Sequence, residues 1–277
     1  VRLTGGEPLL RTDLPDLIAL LAQKRSLCDL ALTTNGVLLA DQATALRAAG
    51  LPRLTVSLDT LQADRFKALT RIDSLDAVLR GLEIAVTCGF NSVKVDTVVI
   101  RGFNDDEMVP ILEHGRQLGA EVRFIEYMDV GGATRWSMQD VVSRREILHR
   151  LSAHYGPIAP VDENTAAPAD RFTLPDDTVF GIISSTTEPF CQQCDRSRLT
   201  ADGQWYRCLY ARTGTDLRGA IRAGVTPDDL CQLIATTWQS RDDRGAENRL
   251  ASENRSALIP VETLQDEPHL EMHTRGG

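Results

Sequence analysis

Three cysteines and two arginines crowd one short stretch of the chain: Cys191-Gln192-Gln193-Cys194-Asp195-Arg196-Ser197-Arg198, and then Cys208. Two residues separate the first two thiols, and thirteen separate Cys194 from Cys208. The short gap lets both thiolates face one metal centre. Asp202-Gly203 is a turn signal inside the longer gap, so the spacing predicts a hairpin that returns Cys208 to the pair. Nearby arginines help to keep thiols ionised, as metal ligands must be. Structural zinc usually takes four protein ligands, and only three cysteines gather here. His149, His154 and Cys231 are the candidates for a fourth. A Cys-x2-Cys redox pair would leave Cys208 idle. Three thiolates suit a [4Fe–4S] cluster with one iron open to substrate. The residues alone leave zinc and iron both open. Arginine forks hold phosphate or carboxylate through paired hydrogen bonds. Residues two apart in an extended segment share a face, so Arg196 and Arg198 can converge on one anion. The plainer alternative is a solvated, charged hairpin.

Elements must position that stretch, and the first half of the sequence supplies them by alternation. Strand-like runs end near Thr4 and lie at 30–34, 54–58, 93–100 and 122–128. Amphipathic helical patterns fall between them at 14–23, 41–49, 63–70, 75–86 and 105–118, with Asp13 and Asp105 as expected caps and Gly50, Gly89 and Gly119 as stops. Repeated βα units imply a parallel sheet with helical crossovers, open or closed into a barrel. The strand ends carry groups able to bind something: Thr4-Gly5-Gly6-Glu7, Thr33-Thr34-Asn35-Gly36, Ser57-Leu58-Asp59, Lys94-Val95-Asp96 and Glu126-Tyr127-Met128. Each alone reads as turn or cap chemistry. Five in succession point to a shared site at the C-terminal strand ends. Further on come a short helix at 144–155, a connection at 161–169 and β-like segments at 172–174 and 178–185. After the cysteines lie helices at 216–223 and 226–241, the second capped by Thr226 with Pro227, Asp228 and Asp229 behind it.

Composition narrows the function classes. The 277 residues carry a net charge of −9, with 42% hydrophobic and 25% charged residues, as in an ordinary globular protein. An acidic chain is a poor general nucleic-acid binder, although local arginines can still collect a small anion. No run approaches the ~20 apolar residues of a membrane span, and no secretory segment opens the chain; a cytoplasmic location is the default expectation. The remaining cysteines, Cys28, Cys88 and Cys231, read as small buried hydrophobes, Cys231 sharing a helix face with Leu230, Ile234 and Trp238.

Taken together, these motifs resemble one family. Arg2-Leu3-Thr4-Gly5-Gly6-Glu7-Pro8, Thr33-Thr34-Asn35-Gly36, Val56-Ser57-Leu58-Asp59-Thr60, Arg123-Phe124-Ile125-Glu126-Tyr127-Met128 and the segment from Cys191 to Cys208 are similar to the GTP 3′,8-cyclases, the MoaA family of radical-SAM enzymes in molybdenum cofactor biosynthesis. The likeness runs from Val1 to Gly277. It implies an α/β fold: a partial (β/α) barrel of the radical-SAM type over residues 1–130, and a C-terminal region, 131–277, carrying an auxiliary [4Fe–4S] site, the GTP site and a Gly-Gly tail. It implies S-adenosylmethionine (SAM) as the radical source and conversion of GTP to (8S)-3′,8-cyclo-7,8-dihydroguanosine 5′-triphosphate, a lyase reaction.

Matched motif by motif, the resemblance assigns Cys191, Cys194 and Cys208 to the cluster. It assigns Arg2, Thr33, Lys94, Arg196, Ser197 and Arg198 to GTP, and Gly5, Gly6, Glu7, Ser57 and Met128 to SAM. Gly276 and Gly277 would reach the active site, although Arg275 stands before them where the family more often has an apolar residue. The implied partners are an unidentified electron donor and, for the product, a downstream cyclic pyranopterin monophosphate synthase. A homodimer is left open, and neither nucleic acid nor membrane is expected.

The sequence departs from the family at one place. Radical-SAM enzymes hold a first cluster on a Cys-x3-Cys-x2-Cys loop, and no such spacing occurs here. The chain opens on Val1, already reading as a strand end. The resemblance therefore implies that the first βα unit and part of the next lie upstream of Val1, that the barrel lacks its first strand, and that this chain alone is inactive. Two other functions stay open: a non-catalytic, zinc-stabilised nucleotide-binding module, and another radical-SAM enzyme with an auxiliary cluster acting on a peptide.

Overall fold

Alternation along the strands decides which side of the sheet is apolar. In the strand Ser92–Val99, Val93, Val95, Thr97 and Val99 are buried, while Ser92, Lys94, Asp96 and Val98 are only half-buried. Successive side chains point to opposite faces, so one face is aliphatic and the other carries the charges. The computed structural model describes all residues except 131–134, 164–165, 254, 268–269, 272–273 and 275–277.

Strands β1 (Arg2–Leu3), β2 (Ala31–Thr34), β3 (Arg53–Ser57), β4 (Ser92–Val99) and β5 (Glu121–Glu126) pair in parallel, in sequence order. Helices α1 (Leu14–Ala22), α2 (Leu39–Ala48), α3 (Ala63–Thr70), α4 (Leu75–Thr87) and α5 (Met108–Leu118) make the crossovers. After α6 (Arg144–Tyr155) come β6 (Ala159–Pro160), β7 (Asp170–Thr173) and β8 (Val179–Ile183). β8 pairs parallel to β5, and β7 and β6 continue antiparallel, giving an open, mostly parallel eight-stranded order β1-β2-β3-β4-β5-β8-β7-β6.

The aliphatic face packs into one core. Leu32, Leu54, Val56, Val95, Val122 and Phe124 from the strands meet Leu14, Ile18, Leu46, Val78, Leu82 and Ile111 from the helices, all under 2% exposed. Fully burying each such side chain contributes about 1.5–3 kcal/mol. Asp13 and Asp105 stand near the starts of α1 and α5, yet neither caps its helix by a side-chain bond. The Asp13 carboxylate accepts from Arg11, and that of Asp105 accepts from Gly102 N and Arg150, so α5 begins later, at Met108.

The chain divides into two compact units: residues 1–127 with 139–184, and residues 128–138 with 185–277. The sequence reading drew one boundary after residue 130. β6, β7 and β8, beyond that point, extend the sheet of the first unit.

The second unit is built differently. A small antiparallel sheet joins β9 (Arg198–Leu199), β10 (Gln204–Tyr206) and β11 (Thr215–Asp216). Helices α7 (Leu217–Arg222), α8 (Pro227–Gln239), α9 (Gly245–Leu250) and α10 (Val261–Asp266) follow. Thr226 caps α8 by accepting from Asp229 N, as expected. No described residue of α8 is fully buried, and Cys231 on it is exposed, as is Cys28. The expected burial of these two cysteines is therefore corrected: α8 offers only a shallow apolar stripe, and Cys231 lies beside it. Cys88 does pack, half-buried, against the main core.

Candidate metal and nucleotide site

The polar face of the first unit is organised by register. Thr33, Thr55, Lys94 and Glu121 stand abreast across β2–β5, and Ser57, Asp96, Arg123 and Gly181 form the next row across β3, β4, β5 and β8. Arg2 reaches along this face and donates to Thr33 Oγ1 at 2.7 Å and Thr55 Oγ1 at 3.2 Å. Glu121 is the common acceptor of three cations: Lys94 at 2.7 Å, Arg123 at 3.0 Å and Arg171 at 3.1 Å. Burial opposes its ionisation, but hydrogen bonds from Lys94 and Arg123 hold it below the usual carboxylate range. Burial pushes the Lys94 ammonium down and the Asp96 carboxyl up, the latter against the pull of Arg123, Arg2 and Lys94. Asp96 Oδ1 is buried without a hydrogen-bond partner among the described residues. A face with more cations than anions, and one unsatisfied carboxyl oxygen, suits a polar anionic ligand bearing hydroxyls.

Of the residues expected to meet SAM, Gly5, Gly6 and Glu7 follow β1, Ser57 closes β3 and Met128 follows β5. Gly5 and Gly6 have φ of 87° and 52°, the left-handed region that only glycine adopts freely. Glu7 is tied down by three bonds: it accepts from Leu9 N, from Thr34 Oγ1 at 2.6 Å and from Asn35 N at 2.7 Å. It therefore braces the Gly5-Gly6 turn against the loop after β2. Ser57 is exposed at the end of β3. Met128, half-buried, belongs to the second unit. Gly276 and Gly277 lie outside the described residues.

In the second unit the predicted hairpin forms. Arg198 pairs with Tyr206 and Leu199 with Trp205, with Gly203 at φ 87° in the turn, so Cys208 returns two residues past β10. Cys191–Gln193 makes one 3-10 turn ahead of it. All three cysteines are free and half-buried. Ten residues that the motif reading passed over, 241–250, back all three. Arg241 donates to Cys194 Sγ at 3.4 Å. A Cβ on Gly245 would lie 3.0 Å from Cys208 Sγ and 2.4 Å from Tyr210 Cβ, so only glycine fits there. Helix α9 packs on the Cys191–Gln193 turn. The charged run Arg241-Asp242-Asp243-Arg244 was the available signal, and it reads as an ordinary solvated helix end. Burial opposes ionisation of Cys194, but the Arg241 hydrogen bond and the Arg196 backbone and charge hold its thiol below the ordinary value.

Arg196 stacks 4.7 Å over Phe190, and its Nη2 is buried without a hydrogen-bond partner among the described residues. Ser197 is exposed between Arg196 and the half-buried Arg198. Among the described residues no three Cys, His, Asp or Glu side chains gather closely enough to hold a single metal ion. A cubane binds each thiolate through a different iron, so its ligands sit further apart than those of one zinc. The donor set fits a cluster in its chemistry: soft sulfur groups, one of them with its thiol held below the ordinary value.

Elsewhere in the same unit, Asp129 is fully buried and accepts from Arg249 at 2.7 Å, from Arg255 at 2.9 and 3.1 Å and from Tyr210 at 3.3 Å. Burial pushes the Tyr210 phenol up, and burial of Asp129 is outweighed by the two arginines, which hold it low.

Comparison with known proteins finds two families along the chain. Residues 1–115 match the radical SAM superfamily, and residues 120–247 match a family described as Molybdenum Cofactor Synthesis C. The chain is 54% identical over 281 residues to GTP 3′,8-cyclase 1 of Mycobacterium tuberculosis (strain ATCC 25618 / H37Rv), covering 100% of this chain and 78% of that protein. It is 45% identical over 256 residues to the GTP 3′,8-cyclase of Acidothermus cellulolyticus, covering 90% and 70% respectively. Among solved structures, SuiB of Streptococcus suis aligns with a TM-score of 0.59 at 11% identity, over 92% of this chain and 58% of that one, which is a likeness of fold.

Proposed function

The chain belongs to the GTP 3′,8-cyclase family of radical-SAM proteins, and from that premise we propose that it binds GTP and SAM and serves the cyclisation of GTP in molybdenum cofactor biosynthesis. The observation that carries the reading is the Cys191–Cys208 segment: three free, half-buried cysteines flank the β9–β10 hairpin together with Arg196 and Arg198, and Arg196 Nη2 is buried without a hydrogen-bond partner among the described residues.

Cys191, Cys194 and Cys208 would hold a [4Fe–4S] cluster, leaving one iron for a substrate atom. When bound, such clusters supply Lewis-acid and one-electron chemistry. The protein's own groups bind and orient. Arg196 and Arg198, with Ser197 between them, take the triphosphate through charge-assisted bonds. Arg2, Thr33 and Lys94 are assigned to GTP by the family likeness, on the polar face of the first unit's sheet. Gly5, Gly6, Glu7, Ser57 and Met128 take SAM, the two glycines allowing its methionine end to approach the backbone. An electron donor of unidentified nature, delivery of the product to a cyclic pyranopterin monophosphate synthase and a cytoplasmic location complete the proposal. No helix among the described residues is long and apolar enough to cross a membrane.

Anaerobic reconstitution with iron and sulfide, followed by titration with GTP, tests the reading. About four irons held by the second unit's cysteines, with a broad visible band, is the expected result; one zinc and no iron would replace it with a zinc-stabilised nucleotide-binding module. Arg196→Ala and Arg198→Ala should each weaken GTP binding at least tenfold. Unchanged affinity in both would remove GTP as the ligand. Turnover assays with GTP, SAM and reductant test separately whether this chain completes the reaction.

A further inference from the structure

Arg241 sits where no anion accounts for it fully. Its side chain is 11% exposed. The guanidinium lies 4.7 Å over the ring of Trp238, which stacks on Trp205 of β10 at 6.3 Å. Nη1 donates to the Cys194 carbonyl oxygen, and Nη2 donates to Cys194 Sγ at 3.4 Å. Nε has no hydrogen-bond partner among the described residues. The nearest carboxylate, Asp243, is 3.9 Å away and is shared with Arg207 at 3.6 Å. A buried cation is costly unless negative charge and acceptors meet it. A neutral thiol is a weak acceptor, whereas a cluster-bound thiolate is an anion placed where Nη2 already points. The fork geometry matters as well. Only a planar guanidinium can grip the carbonyl and the sulfur of the same residue at once.

We propose that Arg241 is a positioning residue for the cluster: it fixes Cys194 through its carbonyl and sulfur and, by N–H···S donation, raises the cluster's reduction potential. The inference rests on the cluster reading above. Hydrogen bonds to ligand sulfur tune iron–sulfur potentials. The sign follows from charge: one-electron reduction makes the cluster more negative, so a donor aimed at its sulfur stabilises the reduced form more than the oxidised one. Arg207 provides the internal control, since it donates to the Thr237 carbonyl and Ser240 Oγ and pairs with Asp243 but makes no bond to sulfur among the described residues.

The test compares the full chain with its Arg241→Gln, Arg241→Lys and Arg207→Gln variants. Each is reconstituted anaerobically with iron and sulfide, then measured for iron per chain and for midpoint potential by EPR-monitored redox titration. Arg241→Gln should shift the potential to more negative values, and Arg207→Gln should shift it less. Arg241→Lys keeps the cation over Trp238 and supplies the folded comparison if the glutamine variant does not fold; it should shift in the same direction. Normal iron uptake with an unmoved potential in Arg241→Gln or Arg241→Lys overturns the inference and leaves the cluster reading standing. An equal shift in Arg207→Gln also overturns it, because charge alone would then suffice. Failure of the unsubstituted chain to take up iron overturns both.

Discussion

The two units of this chain are stable for different reasons. The first buries a continuous aliphatic face under helices, and its charges lie in registered rows on the opposite face. Among the described residues the second has a small apolar cluster of Ile259, Leu264 and Leu270, a few further buried side chains such as Trp205, Tyr206 and Leu217, and a helix, α8, with no fully buried residue. It is held instead by arginines converging on Asp129 and by Arg241 on Cys194. A protein region with so little apolar burial needs another source of stability, and bound metal is a common one. If the proposed cluster binds, the second unit is a scaffold completed by it, whereas the first is held by its own aliphatic core.

Metal removal should break this contrast most visibly. Limited proteolysis of reconstituted and metal-free chain is expected to show cleavage within residues 185–250 accelerating on removal, while the sheet of the first unit stays protected. Equal protection in both states would mean that the second unit needs no cluster. Next in size is Asp129→Ala, which leaves Arg255, itself 6% exposed, without its anion. Breaking a buried pair from one side costs about 3–5 kcal/mol, measurable by urea denaturation. The Asp129 carboxylate titrates below its unfolded value, so its contribution is complete above the ordinary carboxylate range and is lost as pH falls through the lower folded value. The gap between the unsubstituted chain and Asp129→Asn should accordingly close as the solution is acidified.

Glu121→Gln is the matching change in the first unit. It removes the anion shared by Lys94, Arg123 and Arg171, and a cost of about 1.5–3 kcal/mol is expected from the lost charged hydrogen bonds. It should be milder than Asp129→Ala, because the apolar core on the other face is untouched. The smallest effects come from helix caps. Ser143 accepts from Glu146 N at the start of α6, and Thr226 accepts from Asp229 N at the start of α8. Ser143→Ala and Thr226→Ala should each cost about 1 kcal/mol by thermal melts, alike in both units, since a cap is a local term indifferent to how its surroundings are held.

What the sequence made legible follows the same divide. The βα alternation reads off directly because buried parallel strands and amphipathic helices have distinct periods, and α3 falls on residues 63–70 as expected. The hairpin between Cys194 and Cys208 was legible from Asp202-Gly203, and the start of α8 from Thr226-Pro227. Asp13 and Asp105 misled because arginines two and forty-five residues away claim their carboxylates, and nothing local in the sequence announces a competing partner. The three cysteines were visible by spacing. Arg241 was not, since its hydrogen bond to Cys194 spans 47 residues. Lys94 with Asp96 reads as part of a shared site, whereas Glu121 with Arg123, at the same period of two in β5, is an equally readable sign of a polar sheet face. Gly245 needed the approach of Tyr210 to explain it.

The carboxylate of Asp129 also carries a consequence for how the chain assembles in time. Its partners Tyr210, Arg249 and Arg255 lie 81, 120 and 126 residues downstream, whereas the Lys94–Glu121 pair closes over 27. Contacts at such separation close slowly, and during synthesis none of the three can form until its residue has left the ribosome. The first unit's parallel ladders can thus be in place while Asp129 is still solvated. The second unit then locks in a late step, after the last of its arginines arrives.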